Sequence, residues 1–418
     1  MSDIATIKSV ICQIAAVGIA CASLAFLASP VEATGYAQGF QGAPSAGVGG
    51  AMTARPNTPE AGYYNPAGFA LQDDWGAYVG GSLLFPLVYH EDEETRERTR
   101  AQVDGAFPPA LHAYGSFGDF AAGLSLGIPY GASLQWPDDW PGRFEATSTS
   151  LSAMEAAPSV AWQPTDWLAI GGGPRVVWGT MGFGRALDFA REDEEGFVEL
   201  EASAPGVGAQ LGAWGQVHDL WSVGASWRSA IDLGFEGTAR FEDIPEEMED
   251  QAHDTRAETD MILPHRFALG VAYELAAAGV ISLDLEYSLW SAFDTYEVRF
   301  DSDDINDIEE ARDWSNTISM RAGVEYFAPV DGLSLRTGIT VEPSPAPEET
   351  LSAAQPNTDR TSMSLGGGFE AVEGVNFDIA YNFIMMNRTA SADEGMGGIY
   401  DGQIHVFSLG VTVGPGWY

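Results

Sequence analysis

The chain is 418 residues long and carries 60 acidic and 19 basic side chains, a formal net charge of −41 at neutral pH. That balance excludes nucleic acid, whose phosphates it would repel; it suits a surface that must stay hydrated, as in a salty habitat, and says nothing about catalysis. Length alone would fit two or three soluble domains, but no linker divides the halves and one alternating pattern runs through most of the chain.

Ile4 to Leu27 is apolar apart from Lys8, Gln13 and a few small residues, and Ser29-Pro30-Val31-Glu32-Ala33 follows. This predicts a secretory signal peptide over residues 1–33, cut after Ala33, with small residues where a signal peptidase reads them. The alternative, a membrane anchor, is opposed by helix-breaking Pro30, and nothing later reaches the roughly 18 apolar residues of a spanning helix. Gly18 stands where a lipobox before Cys21 wants Leu, so no lipid anchor is expected. Cys12 and Cys21 both leave with the signal peptide, so the mature chain has no thiol for a disulfide or a thiolate metal site. Every basic residue beyond Lys8 is Arg.

Gly35 to Trp75 is rich in Gly, Ala and Pro and has no apolar run of strand or helix length. Such a segment cannot bury enough apolar surface to fold by itself. Two readings are open: a flexible linker, or a hatch over residues 34–74 enclosed by the strands that follow.

Residues 75–418 read as strands with one face in an apolar medium, since apolar residues recur at every second position. From Val375 to Met385, Val375, Phe377, Ile379, Tyr381, Phe383 and Met385 alternate with Asn376, Asp378 and Asn382. Ile281, Leu283, Leu285, Tyr287 and Leu289 alternate likewise with Ser282, Asp284, Glu286 and Ser288. A soluble sandwich would turn the polar face outward; an outer-membrane barrel would turn the apolar face outward. Connection lengths favour the barrel. Short turns such as Ser116 to Asp119 and Ala371 to Gly374 alternate with long acidic connections such as Ala239 to Glu258 and Glu342 to Arg360, as periplasmic turns alternate with outer loops. The connections separate 14 strands, so the expected fold is an all-β, 14-stranded antiparallel transmembrane β-barrel.

Trp75, Tyr89, Trp167, Trp221, Trp290, Trp314 and Trp417 fall near strand ends, where aromatic residues form the two interfacial girdles. At the C-terminus Tyr418 is out of phase with Phe407, Leu409, Val411 and Val413. Either the strand has a bulge there or Trp417 takes the terminal aromatic place.

No catalytic residue set is present: the chain lacks Gly-x-Ser-x-Gly, His-Glu-x-x-His and a phosphate loop. Its six His are scattered singly and its acidic runs lack calcium-loop spacing, so no metal or cofactor is expected. One stretch stands out, Trp136-Pro137-Asp138-Asp139-Trp140-Pro141-Gly142-Arg143-Phe144, preceded by Pro129-Tyr130-Gly131. Together with Asn65-Pro66-Ala67 at the end of the proposed hatch, it resembles the outer-membrane long-chain fatty-acid transporters of the FadL/TodX type. Phe144 replaces that family's usual Tyr.

The resemblance implies a passive channel in the bacterial outer membrane for fatty acids or hydrocarbons, closed by a hatch. It implies capture by exposed aromatics on an outer loop, Tyr130, Trp136, Trp140 and Phe144, with Trp290 in the same order as in the family. It also implies sideways release through a kinked third strand at Gly123, Gly127 and Pro129; the other reading of those glycines is that they make room for the hatch while Pro129 ends the strand. By parity Arg175, Arg228, Arg321 and Arg336 face inward, so Arg175 or Arg321 could hold a ligand carboxylate, or each could pair with Asp284, Glu286, Glu325 or Asp378. Expected partners are a hydrophobic small molecule, outer-membrane lipid with lipopolysaccharide, and the barrel-assembly machinery, for a monomeric barrel. The alternatives are a general diffusion porin, a structural barrel, and a barrel enzyme or adhesin.

Overall fold

Phe377 and Ile379 are 51% and 60% exposed, whereas Asn376, Asp378 and Asn382 on the same strand are buried. Val79, Leu211, Leu269, Leu285, Ile318 and Leu365 repeat this on other strands. An apolar face turned outward all the way round is stable only where the solvent is hydrocarbon, and there every backbone polar group needs an internal partner. Closing the sheet on itself meets that demand.

The computed structural model describes residues 36–415 apart from 94, 103–104, 190–194, 249, 251, 303 and 391–396. The expected signal peptide, Trp417 and Tyr418 lie outside the described residues. The strands run Trp75–Asp92; Arg98–Arg100 with Pro109–Phe117; Phe120–Gln135; Ser148–Thr165; Leu168–Asp188; Glu195–His218; Trp221–Arg228 with Ile231–Glu242. They continue Thr255–Leu263 with Arg266–Glu274; Gly279–Ser288 with Thr295–Phe300; Ile308–Ala311 with Thr317–Phe327; Leu333–Glu342; Asp359–Val372; Val375–Ala390; Gly398–Val413. Each is antiparallel to its neighbour, and the first pairs with the last from Ala77↔Val413 to Asp92↔Gly398. The sheet is therefore the expected closed barrel of 14 strands. Tight turns close one rim: Phe117 pairs with Phe120 across Gly118, whose φ of +66° suits a residue without a side chain. At the other rim the fifth and sixth strands reach 21 and 24 residues, about twice what a tilted strand needs to span the bilayer.

The segment from Tyr36 to Gln72, the plug, packs against inward-facing residues of the wall. It carries two short helices, Ala43–Gly47 and Ala61–Tyr64, and a 3-10 turn, Pro66–Leu71. Its backbone is bonded to strands all round the wall. Ala43 N donates to the Tyr78 hydroxyl at 2.8 Å, and His112 Nε2 meets Gln41 O at 2.8 Å. Gln210 donates to Gly62 O at 2.8 Å, and Thr53 N donates to Asp284 Oδ2 at 2.8 Å. Thr340 donates to Gly49 O at 2.8 Å. Asn65 ties the plug to itself and to the wall: its amide donates to Thr53 O at 2.8 Å and to Ala213 O at 2.9 Å, and its oxygen accepts from Ala67 N at 3.2 Å. Pro66 starts the 3-10 turn, where its fixed φ costs nothing and its missing N–H is not needed. Asn65→Ala takes a donor from the buried Thr53 carbonyl and from the part-buried Ala213 carbonyl and is expected to weaken plug anchoring by about 2 kcal/mol. Faster amide exchange confined to residues 53–67 is the expected reading.

Carboxylates and guanidiniums form a belt at the level of the plug. Arg175 and Arg228 share Glu155, the first at 2.7 Å. Arg266 and Arg321 share Glu286 at 2.6 and 3.2 Å. Arg336 pairs with Glu325 at 2.8 Å and Asp378 at 2.5 Å, and the plug's Arg55 also pairs with Glu325. Two of these arginines hold the plug: Arg228 donates to Tyr63 O at 3.1 Å and Arg266 to the Tyr63 hydroxyl at 2.8 Å.

Candidate functional site

Above the belt the inward residues change character along single strands. On the sixth, Gln210 bonds the plug, while Val198 and Leu200, at the same parity nearer the outer rim, line an open space. On the eighth, Arg266 lies in the belt and Met261 lines the same space. The result is a cavity of about 690 Å³ walled by Tyr36, Leu151, Met181, Phe183, Phe241, Phe293, Tyr296, Val298, Phe300 and Ile308 among others. Thr149, Arg185, Arg312, Ser352 and Gln355 also line it, and each has a buried polar atom without a hydrogen-bond partner among the described residues. Arg312 spends one nitrogen on Glu310 at 2.8 Å and lies 5.1 Å over the Tyr296 ring. Arg185 forms no ion pair among the described residues, with its Nε buried and unpartnered. The arrangement is a mostly apolar chamber with a few polar side chains in its wall, as expected of a site for a small molecule with a polar end.

The aromatic residues expected on the outer loop are placed otherwise. Trp136 and Trp140 are each only 1% exposed and stack on one another at 4.4 Å. Their indole nitrogens donate to Ala353 O at 3.1 Å and Ala146 O at 2.9 Å, and Val88, Leu134, Leu351 and Tyr400 surround them. They are no landing surface: a tryptophan whose N–H finds a buried carbonyl gains more by packing under the loop than by facing water. Phe144 alone of that stretch lines the cavity, beside Arg143, which is paired with Glu195 at 2.9 Å. Tyr130 and Trp290 are fully buried, edge to face at 6.4 Å, in the cluster that holds Leu151, Met261 and Phe293. Trp290 and Trp314 are therefore core residues and not girdle residues, whereas Trp75, Trp167 and Trp221 of the same expected set are exposed.

Arg175 and Arg321 lie in the belt with their charges already met by Glu155 and Glu286. Among the described residues, the cations at the cavity are Arg185 and Arg312, which sequence reasoning missed. A signal was available for the first, since Arg185 shares the inward parity of Arg175 on one strand.

In the third strand, a side chain on Gly123 would run into the Phe69 ring, and one on Gly127 would meet the Gln41 side chain. Both glycines face the plug. The irregularity lies next to them: pairing with the fourth strand shifts register between Gly127 and Tyr130, around Pro129. On the other side, pairing with the second strand stops at Leu111↔Leu126, and the next backbone bond among the described residues is Gln102 N to Gln135 O at 2.6 Å. The freed edge is met from inside by the plug: Gln38 N donates to Pro129 O at 2.8 Å and Gly131 N to Tyr36 O at 3.0 Å. Tyr36 also lines the cavity.

The model of the family Outer membrane protein transport protein (OMPP1/FadL/TodX) matches residues 24–413. The chain belongs to this family. It is an outer-membrane β-barrel, and its family is one of transport channels and not of enzymes. Outer membrane protein P1 of Haemophilus influenzae is 23% identical over 315 residues, covering 68% of this chain and 67% of that one. The 47 kDa outer membrane protein of Pasteurella multocida is 21% identical over 319 residues, covering 70% and 73%. Among solved structures, a Pseudomonas aeruginosa FadL homologue superposes with a TM-score of 0.80 at 18% identity, covering 91% of this chain and 99% of that one. The Pseudomonas putida toluene transporter TodX gives 0.70 at 15% identity, covering 91% and 98%. At these identities the likeness to the solved structures is one of fold.

Proposed function

We propose that this family member carries a long-chain amphipathic solute, such as a fatty acid, passively across the outer membrane, through the upper cavity and out sideways at the interrupted third strand. The observation that carries the reading is the cavity itself. Its volume of about 690 Å³ lies in the range of sites for drug-sized ligands, whereas an apolar cavity of roughly 150 Å³ already holds benzene. A single aromatic ring would leave most of the chamber empty; an alkyl chain would fill it. Arg185, without a carboxylate of its own among the described residues, supplies the end for a carboxylate head. A sideways exit follows from solvation. Releasing an alkyl tail into the watery periplasm costs about 0.8 kcal/mol per CH₂, and the gap between Leu126 and Gln135 gives onto the bilayer instead. The plug, residues 36–72 as far as described, acts as the hatch that closes the straight path, which disfavours a general porin.

Two variants of the purified barrel test this. Leu200→Trp with Met261→Trp fills the chamber and is expected to abolish saturable binding of a long-chain fatty acid. Arg185→Gln removes one charge-assisted bond, so binding of the acid is expected to fall about ten-fold, while the matching long-chain alcohol binds as before. Unchanged binding in the filled variant would rule out the cavity as the site.

A further inference from the structure

One buried carboxyl group staples the two helices of the plug. Glu60 is fully buried just ahead of the Ala61–Tyr64 helix, and it reaches back to Ser45 in the Ala43–Gly47 helix. Ser45 N donates to Glu60 Oε2 at 3.1 Å, Thr58 Oγ1 donates to the same oxygen at 3.3 Å, and Ser45 Oγ lies 3.2 Å from Oε1. No cation pairs with Glu60 among the described residues. Burial without a cation favours the neutral state, because an ionised carboxylate taken out of water with no counter-charge is costly. Ser45 Oγ also lies 3.1 Å from Gly42 O, which already accepts from Ala46 N at 3.0 Å. The neutral carboxyl group fits the same contacts, with Ser45 Oγ donating to Gly42 O and accepting from the Glu60 hydroxyl.

The surroundings favour the same state. Asp378 of the thirteenth strand adds negative charge, and Tyr78 of the first strand and Tyr64 of the plug offer no positive charge. Arg336 of the eleventh strand is the cation nearby, and it is committed to Glu325 and Asp378. There is no slack for the carboxylate to find water, because even a methyl group on Gly42 would collide with it.

We propose that Glu60 is a proton-operated latch: its neutral form joins the two plug helices, and loss of the proton releases them. Burial, with Asp378 second, pushes the Glu60 carboxyl up from 4.5 to about 8. Below 4.5 the latched and released states both hold the proton, so loosening does not depend on pH. Between 4.5 and about 8 only the latched state keeps it, so loosening grows as pH rises, by at most about ten-fold per pH unit; above about 8 it levels off. The latch acts on the closure proposed above, but its test does not depend on any transported solute.

Amide exchange across residues 43–64 of the intact protein in detergent, corrected for the intrinsic base-catalysed rate, is the measurement. Wild type is expected to accelerate severalfold or more per unit from about pH 5 to about pH 8, and Glu60→Gln, which keeps the shape and cannot ionise, is expected to be flat. A flat wild-type profile, or a Gln variant rising in parallel with it, overturns the latch. Should the variant fail to insert, the wild-type profile still decides.

Discussion

Deleting residues 36–72 is expected to turn a closed barrel into a large, steady ion conductor in planar bilayers. The wall does not need the plug to close: its 14 strands pair round the full circle, first to last. A barrel of that size lies between the eight-stranded kind, filled by its own side chains, and the 16-stranded kind that leaves an aqueous channel. Its lumen must therefore be occupied by something other than the wall. The wall is also cut back to receive the plug. Side chains added at Gly123, Gly171, Gly212, Gly224, Gly323 or Gly338 would collide with Phe69, Pro66, Asn65, Thr53 or Val48. Removing the plug leaves those small residues facing one another across an open bore. A deletion variant that folds and stays electrically silent would mean that the plug is not the barrier.

The same glycines show what the sequence carried and what it could not. Alternation revealed the barrel because the rule is local: Phe377 and Asp378 must face different solvents wherever the strand sits. Connection lengths revealed the strand number for a similar reason. The place of the plug is not local, since Gly, Ala and Pro without an apolar run describe a linker equally well. The Asn65-Pro66-Ala67 resemblance and the inward glycines Gly123 and Gly127 were the hints that something lies against the wall. The aromatic loop failed for an opposite reason. Trp136 and Trp140 look like a landing surface in one dimension, and only the fold brings Leu134, Leu351 and Tyr400 round them. Nor could parity tell a belt arginine from a cavity arginine. Arg175 and Arg185 point the same way; what separates them is Glu155, which lies on another strand.

Glu286→Ala is expected to destabilise the barrel by about 3–5 kcal/mol, the usual consequence of leaving buried charges uncompensated. Its carboxylate receives Arg266 at 3.0, 2.6 and 2.7 Å and Arg321 at 3.3 and 3.2 Å, and all three side chains are buried. Without Glu286, among the described residues, Arg266 has no carboxylate of its own and Arg321 keeps only Glu342 at 3.6 Å. The denaturant midpoint in detergent is the measurement, and a loss under about 1 kcal/mol would mean that water reaches the belt. A companion variant, Glu286→Leu with Arg266→Met and Arg321→Met, replaces the cluster by apolar side chains of similar volume and is expected to recover most of the loss, since such replacements are often neutral or stabilising. The two variants separate stability from position. Arg266 also holds the Tyr63 hydroxyl at 2.8 Å, and methionine offers that hydroxyl no donor. The triple variant is therefore expected to be stable as a barrel yet leaky to ions, with amide exchange rising around Tyr63. A triple variant as tight as wild type would show that the belt serves the wall alone and that the plug is held by its backbone bonds.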